Sequence, residues 1–425
     1  MGARRLQQHS TVTGALFFAL CLLFLLGSSG YARADAGVGD FVPHQVIVKL
    51  QQTGISIEEI NLTYGSTTLQ RFSDSSSVYL LKLPAGSGIQ DTLNRMTSDE
   101  RLLFSEPNYV AEPSEGDARH RAWGVSSSAP SSQDYAATAL NLSTAHTFSL
   151  GEGTTVAVLD TGAQLDHPAL QANFEGVKRY DFVGDDNNPT ERRVGADTDG
   201  DGIEDDLFGH GTHVAGIVDI VAPKAKIMPI RVLDTEGYGD VFTISRALSY
   251  AKRNGADVVN LSLGSSSRSR LLQQEIRDAT ADGVLITAAA GNSNSSVPHY
   301  PAAGNSLTAS ADGLVAVTSV NMYGKKSDFA NYGSWVDVSA PGDAIRSAFP
   351  FDSYAYWSGT SMATPFVSGE AALIHAVYGS LDPASVEGKI RCSTQPLLMT
   401  DLLYGAMLGT GRVDVGASLA PGVCS

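Results

Sequence analysis

From Thr154 onward, short β-branched runs alternate with stretches of helical periodicity, and this alternation constrains the fold most. Strands that are apolar throughout are typical of parallel sheets covered by helices on both faces. The predicted strands are Thr155–Leu159, Lys226–Val232, Val258–Leu263, Val284–Ala289, Val315–Val320 and Val336–Ala340. The predicted helices are Thr212–Ile220, Thr243–Asn254, Leu271–Asp282 and Ser361–Val377. We therefore predict a doubly wound α/β domain with a mostly parallel sheet over residues 133–425.

A smaller unit precedes this domain. Residues 42–112 show strand and helix patterns in the order β-α-β-β-α-β, which is typical of a ferredoxin-like α+β fold. Residues 113–132 are rich in Ser, Gly, Ala and Pro, and this composition indicates a linker or processing region. The sequence therefore predicts two folded units joined by a surface segment.

The N-terminus has the pattern of a secretory signal. Two arginines precede the apolar run Ala15–Leu26, which is short for a membrane span. Ala32 and Ala34 have the spacing that signal peptidases recognise, and cleavage after Ala36 is the second choice. We expect residues 1–34 to be removed and the mature protein to be extracellular without a stable membrane anchor. An uncleaved anchor is the alternative.

Composition and charge exclude some classes of function. The net charge is -16 and the sequence pI is about 4.9, and there is no Lys/Arg cluster. Duplex binding needs a basic face that neutralises phosphates, so we expect no nucleic-acid partner. Hydrophobic residues make up 43% of the chain, which fits a globular protein with a sizeable core.

The cysteines predict one crosslink. Cys21 lies inside the predicted signal, so Cys392 and Cys424 remain in the exported protein. Paired cysteines are common in oxidising compartments, and we therefore predict a disulfide between these two residues. Two free thiols are the alternative.

Three short segments contain the residues with catalytic chemistry. Asp160 ends a predicted strand, at the edge where parallel sheets bind ligands. His210 opens a helix in the segment Gly209–Gly216, and Ser361 opens another, where the helix dipole stabilises an oxyanion. Taken singly, Asp160 and Ser361 are also compatible with a turn cap and a helix N-cap. A metal site at His210 and His213 is disfavoured because the Glu of the zinc-protease motif is missing.

Together these segments resemble the subtilisin-like serine proteases, or subtilases, in which Asp, His and Ser follow in this order. The resemblance covers roughly residues 120–420. It implies a secreted endopeptidase that hydrolyses polypeptides with broad specificity through an acyl-enzyme. By this resemblance Asp160 orients the imidazole, His210 acts as general base and then acid, and Ser361 is the nucleophile.

The resemblance also implies oxyanion and substrate-binding residues. Asn292 follows a strand end that is similar to the family's oxyanion site, where its amide would donate to the developing charge. Two segments look like edges that pair with the substrate backbone. Their residues are Ser262, Leu263, Gly264, Gly237, Tyr238 and Gly239. His299 falls near the expected floor of the primary pocket, and the absence of a carboxylate there disfavours a Lys/Arg preference.

The N-terminal unit resembles the family's inhibitory pro-domain of the I9-like type. This implies a zymogen that processes itself and is blocked by its own pro-domain, and we expect a monomer. An ordinary accessory domain is the alternative for this unit. A sedolisin-like protease and a catalytically inactive binding partner are rival interpretations of the whole chain. His210 in its full motif argues against the first, and the intact site residues argue against the second.

An acidic run suggests a structural calcium site. Carboxylates at its first, third, fifth and ninth positions and Gly at its sixth have the spacing of an EF-hand-like loop, although the twelfth position is Phe208. The candidate ligands are Asp197, Asp199, Asp201, Ile203 and Asp205. A solvated acidic loop is the alternative. We expect no catalytic cofactor.

Overall fold

The computed structural model describes residues 41–51, 54–73, 75–113, 121–195, 197, 203–304, 311–379, 381–397 and 404–423. The predicted signal peptide lies outside these ranges, and so does Cys424, so the disulfide with Cys392 stays a prediction. Among the described residues, no helix has both the length and the apolar character needed to cross a bilayer.

The N-terminal unit has the predicted β-α-β-β-α-β order. Its elements are β1 (Phe41–Leu50), α1 (Ile57–Tyr64), β2 (Thr67–Arg71), β3 (Val78–Lys82), α2 (Ile89–Thr97) and β4 (Leu102–Ala111). The strands are antiparallel in the order β2-β3-β1-β4. Successive side chains point to opposite faces, so Val46 and Val48 pack against α1 and α2, whereas Ile47 packs against the large domain. Both faces of this sheet are therefore covered.

The large domain contains the remaining elements. Its strands are β5 (Trp123–Ser126), β6 (Thr155–Asp160), β7 (Tyr180–Asp181), β8 (Lys226–Arg231), β9 (Gly239–Asp240), β10 (Val258–Leu261), β11 (Leu285–Ala289), β12 (Leu314–Val320), β13 (Val338–Pro341), β14 (Ile345–Phe349) and β15 (Ser353–Trp357). Its helices are α3 (Tyr135–Ala139), α4 (Leu142–Phe148), α5 (Gln171–Phe174), α6 (His210–Val221), α7 (Val241–Arg253), α8 (Arg270–Ala281), α9 (Thr360–Tyr378), α10 (Pro383–Cys392) and α11 (Val415–Ser418). A 3₁₀ turn spans Gly405–Leu408.

Seven of these strands form a parallel sheet in the order β7-β8-β6-β10-β11-β12-β13. Helices α6 and α9 cover one face and helices α7 and α8 cover the other, so the doubly wound fold predicted from the apolar runs is confirmed. A separate sheet, β14-β15-β5, was not predicted. Its strand β5 lies within residues 113–132, the segment predicted to be a linker.

The chain reverses its direction of winding between β6 and β10. Strands β6 and β10 are neighbours in the sheet. After β6 the chain continues to β7 and β8 on one side, whereas after β10 it continues to β11 on the other. At such a point the connecting loops separate and leave a crevice beyond the carboxyl ends of the strands. Asp160 ends β6 and Ser262 follows β10, so both predicted site residues border this crevice.

Helix α9 contains an acidic residue in the protein core. Glu370 is fully buried, and the helix around it packs into the large apolar cluster beneath the sheet. Burial raises the pKa of the Glu370 carboxyl to about 8, against the opposing influence of the Ser418 hydroxyl. This carboxyl is therefore protonated at neutral pH.

We expect Glu370→Gln to make the stability less sensitive to alkaline pH. Because the folded-state pKa lies above the ordinary value of 4.5, the stabilisation is fully present below pH 4.5 and is lost as the pH rises through about 8. The full loss corresponds to about 5 kcal/mol. The free energy of unfolding in urea at pH 5 and pH 9 measures it, in a Ser361→Ala background that suppresses self-digestion. Exposed Glu175→Gln is the control, and equal pH dependence in all variants would contradict the prediction.

Candidate active site

Asp160 and His210 are in direct contact at the crevice. Asp160 ends β6, His210 begins α6, and His210 Nδ1 lies 2.7 Å from Asp160 Oδ1. The same carboxylate oxygen accepts the backbone N–H of Thr161 at 2.8 Å. Both side chains of the pair are fully buried. The contact fixes the imidazole with Nε2 directed away from the carboxylate, which is the orientation a general base needs.

A buried tryptophan supports both histidines of the Gly209–Gly216 segment. The indole of Trp357 meets the rings of His210 and His213 edge-to-face, with centroid distances of 5.2 and 5.7 Å. His213 Nε2 lies 3.1 and 3.2 Å from the carbonyl oxygens of Ile345 and Ala355. Burial lowers the pKa of His213 to about 3, so its ring is neutral and adds no positive charge beside His210.

Ser361 is tied to the end of strand β10. Its hydroxyl donates to the carbonyl oxygen of Ser262 at 3.1 Å, and the Ser262 hydroxyl donates back to the carbonyl oxygen of Ser361 at 2.8 Å. Asn260 Nδ2 in turn donates to the Ser262 hydroxyl at 2.9 Å. Because α6 and α9 pack side by side, His210 and Ser361 lie in the first turns of two neighbouring helices.

The side-chain amide of Asn292 is held in one orientation. Its Oδ1 accepts the backbone N–H of Thr360 at 2.8 Å and the Thr360 hydroxyl at 2.9 Å. The N–H of Gly291 donates to the same hydroxyl at 3.0 Å. With its oxygen held by these two donors, the amide directs its NH₂ group away from Thr360. The sequence analysis placed Asn292 here but missed the positioning role of Thr360, which immediately precedes Ser361.

A buried acidic side chain that the sequence did not predict joins the end of β6, which carries Asp160, to the start of α6, which carries His210. Glu191 accepts hydrogen bonds from two threonine hydroxyls and from two glycine N–H groups at 3.1 and 3.2 Å. The donors are Thr161, Gly209, Gly211 and Thr212. Thr161 directly follows Asp160 in sequence, and the other three donors lie within two residues of His210. Burial raises the pKa of Glu191.

The end of the N-terminal unit lies between the two predicted substrate edges. The last two residues of β4 pair antiparallel with Gly239 and Asp240 of β9. Immediately beyond β4, Glu112 exchanges two backbone hydrogen bonds with Gly264, of 2.9 and 3.0 Å. This segment therefore runs as an additional strand between both edges of the crevice.

The other residues predicted on these edges contribute through the backbone. Gly237 and Tyr238 form the turn before β9, since both bond the backbone of Asp234 at 3.1 and 3.0 Å. Leu263 is buried in the core, so it offers the crevice its main chain alone.

Two polar side chains of β4 cap helices of the large domain. Buried Glu106 accepts the Ser269 hydroxyl at 2.8 Å and the first two N–H groups of α8 at 2.6 and 3.0 Å. Asn108 Oδ1 accepts the N–H of Phe242, in the first turn of α7, at 3.2 Å. Helix N-termini leave such donors without intrahelical partners, so these contacts fasten β4 to the large domain.

The predicted calcium loop is described in part. Asp205, the last candidate ligand, bonds back to the residues just before the loop. Its two carboxylate oxygens accept the N–H groups of Val194 and Gly195 at 3.0 and 2.8 Å. Asp197 is exposed and Ile203 is half-buried, and the two carboxylates between them lie outside the described residues. Within the part of the chain that the structure describes, no three His, Cys, Asp or Glu side chains form a metal-binding group.

Comparison with known proteins decides the family. The subtilase family, peptidase S8, matches residues 151–409, which is more than half of the chain. This chain belongs to the subtilase family. The N-terminal unit also matches a family, the fervidolysin N-terminal prodomain, over residues 28–108. The resemblance inferred from the sequence is thereby confirmed for both units of this subtilase.

Individual relatives agree with that assignment. Thermitase of Thermoactinomyces vulgaris is 39% identical over 53% of this chain and 75% of its own length. A thermophilic serine proteinase of Bacillus sp. (strain AK1) is 33% identical over 67% of this chain and 66% of its own length. This subtilase is accordingly a serine-type endopeptidase.

Solved structures share the fold. Fervidolysin from Fervidobacterium pennivorans, a keratinolytic enzyme related to subtilisin, superposes with a TM-score of 0.72 at 22% identity. The superposition covers 94% of this chain and 64% of fervidolysin. A protease from Pseudoalteromonas arctica superposes with a TM-score of 0.58 at 32% identity over 66% of this chain and 93% of its own. The fervidolysin match includes the pro-domain, so the arrangement of both units recurs there.

We expect Thr360→Val to lower kcat about tenfold with little change in KM, because valine keeps the shape but loses the hydroxyl that holds the Asn292 amide. Asn292→Ala alone is expected to cost about 100–1,000-fold in kcat. The double variant should therefore lose little more than Asn292→Ala. Steady-state kinetics on one peptide substrate measures the cycle, with Thr360→Ser, which keeps the hydroxyl, as the control. Fully additive losses would show that Thr360 does not act through Asn292.

Proposed function

We propose that this subtilase is a secreted endopeptidase of broad specificity, made as a zymogen that cleaves itself. The observation that carries the proposal is the pairing of the pro-domain end with Gly239 and Gly264, on both sides of the crevice that contains Ser361. A chain segment bound in this way occupies the place of a substrate. The pro-domain is then both the first substrate and the intramolecular inhibitor.

The contact between His210 and Asp160 and the position of Ser361 at the same crevice support the following reaction. His210 takes the hydroxyl proton of Ser361 as that oxygen attacks the peptide carbonyl, and Asp160 stabilises the imidazolium that forms. The amide of Asn292 and the Ser361 backbone N–H donate to the oxyanion. His210 then gives the proton to the leaving amine, and water releases the acyl group from Ser361 by the same steps in reverse.

Broad specificity follows from recognition through the main chain. Backbone pairing holds an extended peptide whatever its side chains are. The edges that offer this backbone contain Gly239 and Gly264, where a Cβ would lie 2.7 Å from the Val232 carbonyl oxygen and 2.2 Å from the His299 ring, respectively. Neither position accepts a side chain in this arrangement.

The strand register points to the bond that is cut. Glu112 lies opposite Gly264 in an antiparallel pair, so residue 114 comes opposite Ser262 when the register is continued. The carbonyl oxygen of Ser262 accepts the Ser361 hydroxyl. We therefore propose that Ser361 takes the acyl group of Ser114 and that Glu115 leaves as the new amino terminus. Residues 114–120 lie outside the described ranges, so the assignment rests on this register and the sequence.

We expect wild-type protein to yield a pro-domain fragment that ends at Ser114 and a mature chain that begins at Glu115, whereas Ser361→Ala stays uncut. Intact-mass analysis of early time points at high dilution identifies both new ends before any trimming between molecules. A Ser361→Ala variant that matures normally would refute self-processing. Fragments with other ends in the wild type would refute the register alone.

We expect Glu106→Ala to shorten the delay between cleavage and activity. Loss of a helix cap costs about 1–2 kcal/mol, so the cut pro-domain should leave roughly tenfold faster. The interval between the cleaved band on a gel and the appearance of peptidase activity measures it. Glu59→Ala, on the exposed face of α1, is the matched control. An interval equal to that of the control would show that the cap does not hold the inhibitor.

Three structural features complete the proposal. Residues 1–34 are removed on export, Cys392 and Cys424 are joined, and the Asp197–Asp205 loop binds calcium. The alternating carboxylates of that loop support the calcium site, and each Asp205 oxygen that accepts an N–H retains a second lone pair. Calcium there would stabilise the fold, since the catalytic steps use the side chains of the crevice alone.

A further inference from the structure

We propose that His299 sets the primary specificity of this subtilase and restricts the residue whose carbonyl is attacked to small side chains. The inference rests on the proposed function and adds a substrate class to it: peptides with Ala, Ser or a residue of similar size before the scissile bond.

The His299 ring lies in the gap between two neighbouring strands. Strands β10 and β11 pair as far as Leu261 and Ala288, and the chain continues from them to Gly264 and Gly291. A methyl group placed on Gly264 would lie 2.2 Å from His299 Nε2, and one on Gly291 would lie 3.2 Å from His299 Cγ. The imidazole therefore contacts the backbones of both glycines and fills the space between them.

This gap adjoins the reacting groups. One of its walls begins at Ser262, whose carbonyl oxygen accepts the Ser361 hydroxyl, and the other ends at Asn292. The substrate residue that comes opposite Ser262 in the register contributes the attacked carbonyl. The side chain of that substrate residue would enter the gap between the two walls, and the His299 ring already occupies this gap.

The position of the ring is fixed by its neighbours in the chain. Tyr300 exchanges two backbone hydrogen bonds with Ser265, of 2.7 and 2.9 Å. The carbonyl oxygen of His299 accepts the N–H of Ala303 at 2.8 Å. Since the Tyr300 bonds anchor the residue after the ring to the wall that carries Gly264, and the Ala303 bond fixes the turn that follows, moving the ring out of the gap requires a change of its own side-chain rotamer or loss of those bonds.

The chain's own cleavage sequence agrees with a small pocket. The cleavage site proposed above has a serine, residue 114, before the scissile bond. Without the imidazole, two glycine walls would leave a slot free of side chains, which admits a flat aromatic ring. The identity of residue 299 thus decides between a small and a large side chain in the substrate.

The test uses tetrapeptide p-nitroanilides that differ only in the residue before the scissile bond: Ala, Ser, Leu or Phe. For the mature wild-type enzyme we expect kcat/KM for Ala and Ser to exceed that for Phe at least tenfold. His299→Gly should raise kcat/KM for Phe at least tenfold and change that for Ala by less than about threefold. Val297→Ala, a change in the same loop at an exposed side chain, should keep the wild-type order.

Wild-type enzyme that prefers Phe, or a His299→Gly variant with unchanged ratios, would overturn the inference. Should His299→Gly not fold, the wild-type series decides alone. A serine-directed phosphonate that labels Ser361 separates the two levels of the proposal. If Ser361 is labelled but the enzyme prefers a large residue before the scissile bond, only the role of His299 is overturned. If Ser361 is not labelled and no substrate is hydrolysed, the proposed function is overturned, and this inference with it.

Discussion

Strands β6 and β10 are neighbours in the sheet although the chain leaves them towards opposite edges, and the rest of the site depends on this arrangement. A crevice opens beyond the carboxyl ends of these two strands, and the first turns of α6 and α9 border it. Asp160 reaches it from β6, and Ser262 reaches it from β10. The reciprocal hydrogen bonds between Ser262 and Ser361 then bring the first turn of α9 to the same point.

The sequence predicts those features of this fold whose signal is local. Fully apolar runs predict the parallel strands, and the residue after such a run is thereby placed at the crevice, as for Asp160. Glu191 has no comparable signal, because the two threonines that bond it lie 30 and 21 residues away and its own loop is polar. Strand β5 was interpreted as linker for a related reason, since its conformation depends on pairing with the remote β15. The space around His299 likewise depends on two glycines that only the fold brings together.

Attachment of the pro-domain combines two kinds of contact with different requirements. The backbone pairing at Gly239 and Gly264 needs only an extended chain, so any substrate segment competes for it. The caps from Glu106 and Asn108 need particular side chains at a fixed distance from the crevice, so a substrate does not replace them. In the proposed self-processing, the first kind would direct the segment to Ser361 and the second would retain it there after the bond is cut. The proposed inhibition and the proposed processing would therefore rely on separable parts of one strand.

In the proposed mature enzyme, from which β4 has been released, the paired edges have a further consequence. Gly264 and β9 then offer backbone donors and acceptors to solvent, and an incoming chain gains these bonds only if its own N–H and C=O groups are available. A segment inside a helix or a sheet already uses them and lacks the extended shape. We therefore expect the proposed mature enzyme to discriminate by conformation before it discriminates by sequence: folded proteins should resist it until they open locally, and denatured chains should be digested first.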